Sequence, residues 1–172
     1  LTLLGVSDVH ELIDWDYKPH TGGHRPVTLV LATAKTPEAL REALFARRTV
    51  VWFDNTLLGR AEHLEPLLDA SVDVVSARYP RRSRLAKVQL VNRSDARLLL
   101  DNRSGYSLES NVNLVELPPH ETVELGVRTV DRLPRVRLDF RVLNALTAPG
   151  EPAGLEFEFP VSIEDPEWPE GD

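Results

Sequence analysis

The chain contains no cysteine and no methionine. Without cysteine there is no disulfide framework, no thiolate nucleophile and no Cys-ligated zinc, and the redox compartment stays open. Aromatic residues are sparse, at 6% of 172 residues, and Lys plus Arg (20) fall short of Asp plus Glu (27), for a net charge of −7. That balance argues against a nucleic-acid-binding surface, because phosphate contacts need concentrated Lys and Arg. No apolar run approaches the roughly 20 residues of a membrane-spanning helix. The first residues also lack the basic region and small-residue cleavage site of a signal peptide. A Ser-His-Asp arrangement is missing, and Gly22-Gly23 alone is too little for a phosphate-cradling loop. What is present, 42% hydrophobic and 27% charged residues, describes a globular chain with room for one large core or two small ones.

The chain changes character once. Residues 1–71 alternate strand and helix signals. The apolar run Leu1-Thr2-Leu3-Leu4-Gly5-Val6 has the composition of a buried parallel strand. A polar, aromatic loop from Glu11 to Arg25 follows it. Residues 26–32, rich in β-branched side chains, read as a second buried strand. Thr36-Pro37-Glu38 combines an N-cap, a first-turn proline and a first-turn acid, so a helix starts there, with Leu40, Ala43 and Leu44 on one face. Thr49 to Phe53 is a third strand ended by Asp54-Asn55, with Trp52 and Phe53 expected in the core. A short helix from about Arg60 to Leu68 then carries Leu64, Leu67 and Leu68. Strand, helix, strand, helix is an α/β pattern.

From residue 72 to residue 163 the helical period is absent and short alternating runs follow one another. They lie at 87–91, 97–101, 106–108, 113–117, 122–127, 135–142 and 155–161, with turn signals such as Asn92-Arg93-Ser94-Asp95, Pro118-Pro119 and a long turn from Thr147 to Pro152. This spacing predicts an antiparallel β-sandwich, wet on one face of each sheet. Val136, Leu138, Phe140, Val142, Leu155, Phe157, Phe159 and Val161 should face inward. The one basic run, Arg78 to Arg84, reads as a solvated loop or an anion-binding patch. Residues 164–172 form an acidic, proline-rich tail expected to be frayed.

Chemistry-bearing residues concentrate near the start. Asp8 and His10, at the end of the first apolar run, would point to the same side if that run is a strand. Together they suit part of a divalent-metal site, or else a loop-capping Asp and a surface His. His20 and His24 are further candidate ligands or substrate contacts, or simply exposed loop residues. Arg25 could meet a phosphate through charge-assisted hydrogen bonds, or form a salt bridge to Asp14 or Asp16. Trp15 could line a pocket or cover a rim.

Ser7-Asp8-Val9-His10, the segment His24 to Val30, Thr36 to Val50 and the turn Asn144 to Gly150 together resemble the C-terminal end of a PHP-domain (polymerase and histidinol phosphatase) metallohydrolase. More narrowly, they resemble bacterial PHP phosphodiesterases in which a small immunoglobulin-like domain follows the barrel. The resemblance implies a fold in which residues 1–71 supply the terminal strand and helix units of a distorted (β/α)7 barrel and residues 72–163 an immunoglobulin-like sandwich. It implies a metal-activated water attacking a phosphate ester, with Mn, Zn or Fe held in part by Asp8 and His10. The family's His-x-His strand and other ligands have no counterpart here, so most of the barrel is expected N-terminal to Leu1. These residues alone should be inactive and hold little or no metal, and they should associate with the missing barrel segment or with themselves. A non-enzymatic β-sandwich module for binding or assembly is the alternative. A soluble bacterial protein, cytoplasmic or periplasmic, is expected.

Overall fold

A computed structural model describes residues 2–163; the expected frayed tail lies outside the described residues. The chain divides into two compact units. Unit 1 takes the chain up to Leu68 together with Leu143–Ala153, and unit 2 takes Asp69–Val142 and the chain from Gly154 onward.

Unit 1 is built on three antiparallel strands. β1 (Val27–Val30) pairs with β2 (Thr49–Phe53), and β2 pairs with β3 (Thr56–Gly59). The turn between β2 and β3 is Asp54-Asn55, both at positive φ (46° and 57°). That is the geometry of a two-residue type I′ hairpin, and Asp and Asn are among the few residues that tolerate it. The residues foreseen as a strand stop therefore make a hairpin, and β3 follows unforeseen. The end of β10 (Arg135–Ala148) adds parallel to β3, with Ala145 opposite Leu57.

Two expectations for this unit are corrected. Residues 2–6 form no strand, and β1 and β2 are antiparallel rather than parallel. The cause of the second lies in the helix between them. After a short α1 (Ile13–Tyr17) in the first loop, α2 (Pro37–Phe45) starts where foreseen, with the Thr36 hydroxyl accepting from the Ala39 N–H at 3.2 Å. It ends in a double backbone closure, Arg48 N to Ala43 O (2.9 Å) and Arg47 N to Leu44 O (3.1 Å), with Arg47 at φ 63°. This Schellman-type cap turns the chain back at once. Arg48 O then accepts from Leu31 N at 2.9 Å, and Thr49 enters β2 beside Val30, the end of β1. The helix is an excursion that returns to the end it left, so the strands run in opposite directions. α3 (Ala61–Ser71) buries Leu64 and Leu68, two of the three leucines its spacing pointed to, and leaves Leu67 half-buried.

Unit 2 is a sandwich whose strands pair antiparallel apart from its short last strand, which lies parallel to its neighbour. One sheet runs β12 (Ser162–Ile163), β4 (Val72–Tyr79), β5 (Leu85–Asn92), β9 (Thr122–Arg128), β7 (Ser107–Leu108). The other joins β10 to β6 (Leu98–Asn102), and β6 to β8 (Leu114–Leu117), with β11 (Glu151–Pro160) also on β10. Val136, Leu138, Phe140, Val142, Leu155, Phe159 and Val161 are buried as their alternation required, while Phe157 is half-buried with its ring 6.3 Å from that of Phe140. The long turn expected over Thr147–Pro152 shrinks to Pro149-Gly150, because β10 and β11 continue to either side. Gly150, directly after proline, sits at φ 75°, the positive dihedral of a type II turn that glycine adopts without strain.

Polar groups complete this core. Asn92 and Asn102 take inward positions on β5 and β6 and are buried. In each, Oδ1 accepts from the backbone N–H and hydroxyl of the serine two residues on, Ser94 and Ser104. Nδ2 of Asn92 donates to the Ala96 and Leu117 carbonyls, and that of Asn102 to Tyr106. The two Asn-Arg-Ser turns are thus anchored from inside, meeting the demand that buried polar groups be bonded. Tyr79, also buried, shares a hydrogen bond with the Thr129 hydroxyl (2.9 Å) and accepts from Leu133 N (3.1 Å).

Candidate functional site

The segment that carries Asp8 and His10 is held by side chains instead of a strand ladder. Thr28 of β1 accepts from Gly5 N (2.9 Å) and donates to Gly5 O (3.1 Å), and Thr49 of β2 donates to Leu3 O (2.8 Å). A Cβ at Gly5 would lie 2.6 Å from Cγ1 of Val51, so only glycine lets the backbone approach that face. Thr28, Thr49 and Val51 are on one face of the β1–β2 pair by register. The apolar run therefore lies across a sheet face, its Leu3 and Gly5 carbonyls accepting from threonine hydroxyls.

Beyond Gly5 the hold ends at Ser7, whose carbonyl accepts from the Tyr17 hydroxyl at 3.1 Å. Asp8 follows at φ 48°, a left-handed conformation that Asp tolerates better than most residues. Asp8 and His10 are both exposed. The strand that would set the two side chains on one side is absent, and both are instead exposed directly after a pinned segment. Tyr17 in turn meets Phe53 edge-on at 6.3 Å.

The remaining candidates disperse around the loop. His24 stacks on Trp52 at 4.0 Å and its Nδ1 is 2.9 Å from the Arg25 carbonyl, which makes that nitrogen the donor. This histidine acts in packing and has one nitrogen committed. His20 sits exposed in a single 3-10 turn, Pro19–Thr21. Trp15 is 67% exposed on α1. Arg25 is exposed, and among the described residues it forms no ion pair with Asp14 or Asp16. Gly23 explains the tight loop: a Cβ there would fall 1.9 Å from the Tyr17 carbonyl oxygen. No group of three or more His, Asp or Glu that could hold a metal occurs among the described residues. Asp8 and His10 offer one oxygen and one nitrogen donor of suitable chemistry, and any further ligands must come from elsewhere.

Unit 1 also exposes apolar side chains. Leu40, Leu44 and Phe45 of α2 are 41%, 37% and 76% exposed, although Ala43 beside them is buried. Phe53, expected in the core, is 42% exposed, and Trp52 is only half-buried. Their hydrophobic pattern is real, and among the described residues nothing covers much of it.

Residues 72–158, half of the chain, match the DUF5001 family, described as an Ig-like domain. The chain belongs to this Ig-like domain family. The match falls on the β-sandwich, in agreement with the antiparallel architecture and the immunoglobulin-like expectation. Among solved structures, the chain is similar to a two-domain protein containing a predicted PHP-like metal-dependent phosphoesterase from Bacteroides vulgatus. That likeness has a TM-score of 0.81 and 26% identity over 92% of this chain. The chain spans 46% of that protein's length. No curated protein matches it. No described helix is long and apolar enough to cross a membrane.

Proposed function

We propose that this Ig-like chain is the C-terminal portion of a metal-dependent phosphoesterase, in which the residues around Asp8 and His10 complete a PHP-type barrel. The likeness to the Bacteroides vulgatus protein across 92% of the chain carries this reading, because it includes unit 1 as well as the sandwich. In the complete protein Asp8 and His10 would each contribute one ligand, Arg25 would face the phosphate ester, and Trp15 and His20 would border the substrate. A metal bound there supplies a water of lowered pKa and neutralises phosphate charge. The chain's own part is to hold its two donors: the Thr28 and Thr49 hydroxyls fix the segment and Tyr17 stops it at Ser7.

The exposed apolar side chains of unit 1 belong to the same reading. In the complete protein the preceding barrel elements would cover them, and a chain lacking those elements would self-associate. The 172 residues alone should not turn over phosphodiesters, since two ligands do not hold a metal cluster.

The test joins genetics and kinetics. Coding sequence upstream of Leu1 should contain a His-x-His strand. The resulting longer protein should hydrolyse a chromogenic phosphodiester with Mn²⁺, and Asp8→Ala should lower kcat at least about 100-fold. Turnover by the 172 residues alone, abolished by Asp8→Ala, would overturn the two-ligand argument. An unrelated domain upstream would favour the alternative, a non-enzymatic sandwich module, for which the family match over 72–158 is the supporting observation.

A further inference from the structure

Unit 2 carries one strongly basic feature. Between β4 and β5 the chain reads Tyr79-Pro80-Arg81-Arg82-Ser83-Arg84, and Arg81, Arg82 and Arg84 are exposed. The turn is tight: Ser83 N donates to Pro80 O at 3.0 Å, and Arg82 adopts φ 55°. A fourth guanidinium joins from the β9–β10 connection, where Arg132 Nε donates to the Ser83 carbonyl at 2.8 Å. The Thr129 hydroxyl donates to the Arg84 carbonyl at 3.0 Å, so the two loops are stitched together. Among the described residues no ion pair involves Arg81, Arg82, Arg84 or Arg132, and the acid nearest them in sequence is Asp131. A cluster of four arginines in a chain of net charge −7 is a local reversal of sign.

The topology says which anion is delivered to it. β12 pairs parallel with β4, Ser162 opposite Arg78 and Ile163 opposite Tyr79. The chain therefore leaves β12 travelling in the direction of β4, toward the arginine turn. Pro80, which follows Tyr79, has no N–H to offer a ladder. The next residues in sequence are Glu164-Asp165-Pro166-Glu167-Trp168-Pro169-Glu170-Gly171-Asp172, five acids without a single basic residue. Nine residues reach up to about 30 Å when extended, ample for a turn that starts one strand spacing away. Trp168, in the middle of the acids, has the π-face that a guanidinium covers.

We propose that the acidic segment 164–172 docks on the arginine cluster formed by the β4–β5 turn and Arg132 of the same chain. The docked segment is an intramolecular occupant of an anion-binding surface, and a phosphorylated or polyacidic partner would have to displace it.

The absence of cysteine makes the test clean, since Gly171→Cys gives one site for a nitroxide label. The labelled full chain should broaden the amide signals of Arg81, Arg82, Arg84 and Arg132. A reference chain with Glu164, Asp165, Glu167 and Glu170 changed to their amides carries the same tether without the charge. Each neutralised acid should lower the docked-to-free ratio by about 1.5- to 5-fold, so broadening in the reference should be clearly weaker. About 1 M salt, where the Debye length is near 3 Å, should bring the parent down to the reference. Equal broadening in parent and reference at low salt overturns the proposal. Broadening that grows with protein concentration also overturns it, by showing that the segment docks on a second copy. Broadening that falls when an inorganic polyphosphate is added, with the arginine signals shifting, supports the displacement.

Discussion

The two units treat their apolar residues differently. In the sandwich, strand alternation and burial agree: Leu98, Leu100, Leu138 and Phe140 are fully buried, and even the polar inward positions, Asn92 and Asn102, have partners on both ends of the amide. In unit 1, Val50, Leu64 and Leu68 are buried while Leu4, Leu12, Trp15, Leu44, Phe45 and Phe53 stand substantially exposed. Isolated exposed apolar side chains are ordinary. Their concentration in one unit is not, and it teaches that the sandwich closes its own core whereas the α/β unit has hydrophobic capacity to spare.

Removing one aromatic side chain from each unit tests that contrast, and the buried one gives the largest effect. Phe140→Ala should cost about 3–5 kcal/mol in urea unfolding, because a fully buried ring leaves both lost transfer energy and a cavity. A cost below about 1 kcal/mol would mean that the sandwich is loosely packed, and the contrast between units would fail.

At the other extreme, Phe45→Ser should change stability by no more than about 1 kcal/mol, most of it from the Arg41 guanidinium 5.6 Å from the ring. The same change should lower self-association in sedimentation velocity. A large loss of stability would show that the α2 face is covered after all.

The smallest effect sharpens the electrostatics of the sandwich surface. The hydrogen bond from Lys87, at 2.7 Å, holds the Glu109 carboxyl below the usual glutamate range, burial opposing it, and the same bond raises Lys87. Stability from Glu109 is then present above its unfolded pKa and disappears as pH falls through the depressed folded value. That from Lys87 is present below its unfolded pKa and disappears as pH rises through the raised one. Thermal melts of the parent and Glu109→Gln should therefore differ at neutral pH and converge both in acid, once Glu109 is protonated in the folded state, and in alkali, once Lys87 is deprotonated there. A pH-independent difference would assign the contact to packing, in which Gly126 leaves the space that Glu109 occupies: a Cβ there would lie 2.6 Å from the Glu109 Cβ.

Much of this fold is legible from local chemistry. The Thr36 cap, the Leu64 and Leu68 spacing and the alternation along β10 each act within a few residues, so composition and period are enough to find them. The errors come where one period fits two outcomes. Leu1 to Val6 is apolar enough for a strand, yet strand formation needs a partner edge. The structure instead lays residues 2–6 across a face on which Thr28 and Thr49 supply hydroxyls. Of the candidate site, the exposure of Asp8 and His10 follows from a left-handed Asp8 after a segment that is not a strand, and the packing of His24 on Trp52 depends on a contact between residues far apart in sequence.

By itself the sequence determined the start of α2, which strand faces are apolar, and the sign of each charged run, since these follow from side chains acting on their neighbours. Tertiary structure alone decided the direction in which β1 and β2 pair, the burial of Asn92 and Asn102, and the exit of β12 beside the arginine turn. Each of those is a choice of partner between distant residues, and periodicity carries no information about partners.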